Sequence, residues 1–229
     1  MNTTRQESAV IYLSDQRKEV LNKDHIKKEI LGNNQLGLPE RYAFLNLIAL
    51  NEVNINACKE METAITQKTL VVLLPIHGEL VYKALTDVTT IDVGELVVFS
   101  LEEGQIYNVF NPYKENSIQY LELHFYNSNV QDNHVSFDLQ ASTNNLIELM
   151  NTVDIKLSLG MFEGRSEGAI SIRNATRGVF SYVLQGAFEF QNRLLQVGDS
   201  LALWDLPTQE LIEFEALSNG AIILTIEFV

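Results

Sequence analysis

A chain of 229 residues with a net charge of −14, 46% hydrophobic and 20% charged residues, is long enough to bury its own core, and its excess of acids argues against a phosphate-binding surface. A single cysteine, Cys58, rules out an internal disulfide and fits a reducing compartment. No apolar run reaches the ~18 residues of a membrane span, and the opening "MNTTRQESAV" lacks the apolar core of a secretory leader. The expectation is a cytoplasmic protein with neither nucleic acid nor membrane as a direct partner.

Most of the chain alternates apolar and polar residues in short runs separated by Gly, Asn and Asp, the pattern of half-buried strands. "AVIYL" (9–13) predicts a first strand. The charged stretch "QRKEVLNKDHIKKEIL" (16–31) predicts a short helix with Val20, Ile26 and Ile30 loosely on one side, and its lysines read as a solvated segment. "RYAFLNLIALNEVNI" (41–55) predicts two strands broken near Asn51. "TLVVLLPIHGELVYKAL" (69–85) predicts a hairpin turning at His77-Gly78, with Pro75 near a strand end, where a missing ladder donor is tolerated. "GELVVFSLEEGQIYNVFNP" (94–112) predicts a strand, a corner at Gly104 and a returning strand. "SIQYLELHFY" (117–126) is a long alternating strand. "NNLIELMN" (144–151), with an asparagine to cap it, predicts a second short helix. Five further strand-like stretches follow, and the many short strands with turn signals about every 8 to 12 residues are the signature of a sandwich or barrel.

The chain repeats itself. "HGELVYK" followed by "IDVGELVVFSL" returns as "QGAFEFQ" followed by "LQVGDSLALWD", with Gly78 matched to Gly186 and Gly94 to Gly198, offsets of 108 and 104 residues. That period is too long for a solenoid and indicates two copies of one β domain. The join is expected in the polar stretch 127–145, giving domains 1–137 and 138–229.

A glycine-turn hairpin followed by Val-Gly-acid and another strand, twice in one chain, resembles a bicupin. Over nearly the whole length the chain resembles the pirin-like family, through "VIYLSDQR", "GQIYNVFNP", "YLELHFY" and "GVFSYVLQGAFEFQNRLLQVGDSLALWD". The resemblance implies an all-β fold of two tandem jelly-roll (cupin) barrels packed face to face, here with one or two short helices. It also implies that members with a site hold one metal ion, usually iron, in the N-terminal barrel through three histidines and a glutamate, and that some oxidise flavonols such as quercetin. Carried over residue by residue, those four ligand positions fall on Ala64, Thr66, Tyr107 and Val109, so the resemblance implies that the ligands are replaced and that no iron cofactor is held.

Chemistry read from the residues agrees. A mononuclear site needs three or four converging imidazoles or carboxylates. The histidines are His25, His77, His124 and His134, and no two stand two apart. Only His124 lies on a clear strand, where Tyr120, Glu122, His124 and Tyr126 share one face and Leu121, Leu123 and Phe125 the other. Because a lone histidine on a strand is usually a satisfied side chain, Glu122 and His124 are expected to point outward or to be merely structural. The alternative is that both look into the barrel near Tyr107 as a small acid–base or ligand-binding cluster. Cys58 reads as a buried, unreactive thiol. The functional expectation is a non-catalytic protein that binds a small molecule or a protein partner, with a homodimer plausible. Two alternatives stay open: a metal-dependent dioxygenase with a site rearranged around Glu122 and His124, and a purely structural oligomer.

Overall fold

The computed structural model describes residues 8–32, 42–126, 130–172, 176–206 and 211–229. Arg41, Arg173 and residues 127–129 of the expected join lie outside that set. The described chain is almost entirely antiparallel strand and falls into two compact units, one formed by residues 17–137 and the other by residues 1–16 with 138–229.

The strands in chain order are β1 (Ser8–Tyr12), β2 (Lys18–Leu21), β3 (His25–Leu31), β4 (Leu47–Ile55), β5 (Glu60–Ala64), β6 (Thr69–His77), β7 (Leu80–Ala84), β8 (Asp87–Ile91), β9 (Glu95–Leu101), β10 (Ile106–Phe110), β11 (Ile118–Tyr126) and β12 (Asn133–Ser136). They continue with β13 (Asn145–Asn151), β14 (Ile155–Phe162), β15 (Glu167–Ser171), β16 (Gly178–Gln185), β17 (Ala187–Phe190), β18 (Arg193–Gln196), β19 (Ser200–Trp204), β20 (Leu211–Ala216) and β21 (Ala221–Phe228). Unit 17–137 has a seven-stranded sheet, β12-β9-β6-β11-β4-β3-β2, and a four-stranded sheet, β5-β10-β7-β8. The other unit has a six-stranded sheet, β1-β19-β16-β21-β14-β13, and a four-stranded sheet, β15-β20-β17-β18.

The two orders superpose with an offset of ten strands, which is the internal repeat in topological form. Gly78 and Gly186 turn the matched hairpins β6–β7 and β16–β17 at φ 74° and 75°, a region where a Cβ is strained. Gly94 and Gly198 open β9 and β19 at φ 92° and 83°. The strand at the open edge comes from different places. In the first unit β12 pairs with β9, and in the second β1 pairs with β19, Ser8 opposite Trp204 and Tyr12 opposite Ser200. The first strand therefore belongs with the C-terminal half, unlike the expected 1–137 domain. Sequence proximity does not decide which sheet edge is free to accept a strand.

Both expected helices are strands. Residues 18–31 form the hairpin β2–β3, in register Lys18 opposite Glu29, and β3 continues onto β4 with Lys28 opposite Glu52. Opposite charges facing each other across strands stabilise the sheet where local propensity is indifferent (Lys18–Glu29 3.5 Å, Lys28–Glu52 3.6 Å). Residues 145–151 pair along β14, at the sheet edge. Asn51 does not break 41–55: β4 runs through it to Ile55. Pro75 sits where the β6–β11 register shifts, between the His77–Gln119 and Pro75–Tyr120 pairs, so the irregularity absorbs its missing donor.

Each unit closes on its own core. In unit 17–137, Val53, Val71, Leu73, Val97, Phe99 and Tyr120 of the large sheet meet Met61, Tyr82, Tyr107 and Val109 of the small one. Phe99 stacks on Tyr82 at 5.1 Å and meets Tyr107 edge-on at 5.4 Å. The other core centres on Phe162, Phe188, Phe190 and Phe214. These are two jelly-roll barrels, with no α-helix among the described residues and so none to cross a membrane.

Candidate functional site

The barrel of residues 17–137 is apolar through most of its interior and polar at one end. The change occurs along β11, whose inward residues are Ile118, Tyr120, Glu122 and His124 in turn. The first two join the apolar core; Glu122 is fully buried and the His124 side chain is 12% exposed. The opposite face of the same strand is buried too, with Leu121, Leu123 and Phe125 at 0%. The expectation that Glu122 and His124 look outward is thereby overturned. This strand is covered on both faces, so its polar residues have no solvent side to turn to.

Three strands supply the partners of Glu122. Asn51, directly opposite on β4, donates from Nδ2 to Oε2 at 2.8 Å. Tyr107, from β10 of the small sheet, donates its hydroxyl to Oε1. Thr63, opposite Tyr107 on β5, approaches the same oxygen at 3.4 Å. His124 Nε2 lies 2.9 Å from the Tyr107 oxygen and 3.8 Å from Glu122 Oε1. Hydrogen bonds to a charged acceptor contribute about 1.5–3 kcal/mol each, so this carboxylate is held in a closely specified place.

Burial pushes the Glu122 carboxyl up, but His124, Lys27 and the hydrogen bonds from Tyr107 and Asn51 outweigh it, and the group ends below its ordinary value. Burial lowers the His124 imidazole; Glu122 opposes the fall and Lys27 adds to it. Burial first, and the charge of Glu122 next, raise the Tyr107 phenol well above its ordinary value. At neutral pH the cluster is therefore a carboxylate, a phenol and a neutral imidazole. The tautomer follows from the network. Tyr107 has one proton and gives it to Glu122, which can only accept, so its oxygen takes the Nε2 proton of His124. Nδ1 of His124 is left as a bare acceptor with no hydrogen-bond partner among the described residues.

A cleft of about 490 Å³ opens over this end of the barrel, lined by Lys18, Lys27, Asn51, Thr63 and His124 among others. The expected solvated segment thus supplies part of its wall. Lys18, Glu29, Asn51 and Glu122 stand opposite one another in a single row across four strands.

The positions carried over from the family resemblance separate. Tyr107 and Val109 are buried inside the barrel, Val109 opposite Met61. Ala64 and Thr66 are exposed at the cleft's rim, and Ala64 is opposite the exposed Ile106. The inward residues of that segment are Met61, Thr63 and Ile65. Asn51 and Thr63 were not singled out from the sequence. Asn51 was legible as a polar residue in the inward series Asn51, Val53, Ile55. Among the other histidines, His77 is exposed and His134 pairs with Glu95 at 3.3 Å on the surface. Cys58 is exposed, not buried, in a turn at φ 56°. Among the described residues no three His, Cys, Asp or Glu side chains gather closely enough to hold a metal ion.

The chain matches no protein-family model and none of the curated proteins compared with it. Solved structures match throughout. Escherichia coli YhhW is 14% identical, with 97% of this chain and 98% of that one covered at a TM-score of 0.81. The structure described as bacterial pirin YhhW from Escherichia coli in complex with nickel(II) is 14% identical over 96% and 98%, at 0.77. A quercetin 2,3-dioxygenase from Acinetobacter baumannii is 11% identical over 96% of this chain and 78% of that one, at 0.67. The chain has the two-barrel cupin fold that these proteins share.

Proposed function

We propose that this is a pirin-like protein whose first barrel binds a small molecule without a resident iron ion. The observation that carries the reading is the occupation of the candidate donors. Both oxygens of Glu122 accept hydrogen bonds from side chains of the barrel, and Nε2 of His124 is turned onto Tyr107. A three-histidine, one-carboxylate site does not fit this donor set, which offers one imidazole and one carboxylate already bonded to each other through a phenol. Ala64 and Thr66, where the resemblance puts the histidine pair, lie exposed at the rim, and the inward neighbours Thr63 and Ile65 offer a weakly basic hydroxyl and no donor atom. What remains is a cleft of ordinary ligand-binding size whose wall is largely polar, with Lys27, Asn51 and His124 among its lining residues.

The test is metal analysis of protein purified without chelator, combined with oxygen uptake in the presence of quercetin. The reading expects iron, nickel, copper and zinc well below one per chain, and uptake equal to that of the buffer. One ion per chain with turnover of quercetin would contradict it and support a dioxygenase rearranged around Glu122 and His124.

A further inference from the structure

Asn51 lines the cleft, is 3% exposed, and its side-chain oxygen is buried with no hydrogen-bond partner. Reversing the amide does not help, because Nδ2 is required by the Glu122 carboxylate 2.8 Å away. A buried acceptor without a donor costs about 1–3 kcal/mol, so this atom is waiting for one. His124, on the next strand and two residues along the same face, presents a second unpartnered acceptor, Nδ1. The third group is a cation. Of the two lysines lining the cleft, Lys18 is held by Glu29 at 3.5 Å, whereas Lys27 has no carboxylate partner among the described residues. Two acceptors and one ammonium without a contact ion pair, on neighbouring strands, define a ligand by complement: hydroxyl donors at one end, an anionic oxygen at the other.

We propose that the cleft binds a small aliphatic hydroxy acid, with its carboxylate on Lys27 and its hydroxyls donating to Asn51 Oδ1 and His124 Nδ1. The claim rests on the metal-free binding reading above and names its ligand class. A carboxylate is preferred to a neutral carbonyl because Lys27 makes no ion pair at contact distance among the described residues and feels the Glu122 charge only at longer range, while that carboxylate is held by its own donors. Neighbouring inward positions on such a sheet are roughly 5–7 Å apart, so an extended chain of about six carbons spans the three groups. The cleft has room for that and more.

The experiment is isothermal titration of the full chain with three six-carbon probes: gluconate, sorbitol (the hydroxyls without the carboxylate) and hexanoate (the carboxylate without the hydroxyls). Gluconate is expected to bind one per chain, with sorbitol and hexanoate each weaker by roughly tenfold or more. Lys27→Met, at a half-exposed strand position, is expected to weaken gluconate by about tenfold and leave sorbitol unchanged. Hexanoate binding as well as gluconate, Lys27→Met without effect, or no gluconate binding at millimolar concentration would each overturn the proposal. The metal content of the same sample separates the two failures. Iron-free protein that ignores gluconate overturns the ligand class alone, and one iron per chain overturns the reading beneath it.

Discussion

Replacing Tyr107 with phenylalanine removes one oxygen from the centre of the cluster and little else. The ring is fully buried and keeps its edge contact with Phe99. Two bonds go with the hydroxyl: the one it donates to Glu122 and the one it accepts from His124. The first is charge-assisted and contributes about 1.5–3 kcal/mol; the second leaves an imidazole N–H facing an apolar edge, unless the ring changes tautomer, at about 1–3 kcal/mol. The two share an atom and do not add fully, so the expected loss is about 2–4 kcal/mol. For a domain of this size that is roughly a 5–12 °C fall in the melting temperature of the first barrel. The acid limb should move as well. With its folded pKa depressed, Glu122 contributes stability that is present above pH 4.5, its ordinary value, and is lost as pH falls through the folded pKa. Removing a donor raises that folded pKa, so Tyr107→Phe should start losing this contribution at higher pH than the native protein does. Thermal unfolding followed by circular dichroism from pH 3 to 8 measures both effects. A Tyr107→Phe variant within about 0.5 kcal/mol of native, the size of an ordinary surface change, and with an unshifted acid limb would refute the account of the cluster.

The native protein should also lose stability as pH falls from 6.5 toward the lowered folded pKa of His124, because the unfolded chain takes up a proton there that the buried ring refuses; His124→Phe should flatten that stretch of the curve. Glu122→Gln should be tolerated at a cost of about 1 kcal/mol, since Asn51 can reverse its amide and use its free oxygen, whereas Glu122→Leu strands the Tyr107 and Asn51 donors and should cost about 2–5 kcal/mol by chemical denaturation. Gly78→Ala and Gly186→Ala should each destabilise their own barrel by about 1–3 kcal/mol, since both combine a positive φ with a Cβ that collides, against Tyr113 and Ser218 respectively. Equal stability of either variant in a melting experiment would show that the matched turns are not under the constraint described.

What the sequence discloses here is what local chemistry determines. The paired glycines at 78 and 186 and at 94 and 198 mark both hairpins because a positive φ is a property of one residue and its neighbours. The alternation of 118–126 gives strand β11 to within a residue. The failures are non-local. Residues 18–31 resemble a helix in isolation and form a hairpin that joins the sheet through β4, Lys28 opposite Glu52, a pairing not visible in the segment itself. The direction of Glu122 and His124 depends on both faces of their sheet being covered, which a period of two cannot express. That Ala64 and Thr66 sit at the rim while Thr63 and Ile65 look inward depends on register, where one residue changes which side chains face the core. Asn51 shows the same limit, since it reads as a strand break and instead lies within β4, opposite Glu122.

The most direct test of the central claim is the state of His124 itself, read from the nitrogen chemical shifts and two-bond proton couplings of its ring in ¹⁵N-labelled protein, before and after addition of one equivalent of nickel(II). The account predicts a neutral ring at pH 7 with its proton on Nε2, bonded to Tyr107, and signals that neither shift nor broaden when the metal is added. A proton on Nδ1 would contradict the network described here, and loss of the His124 signals at one equivalent of nickel would mean that this imidazole binds the metal.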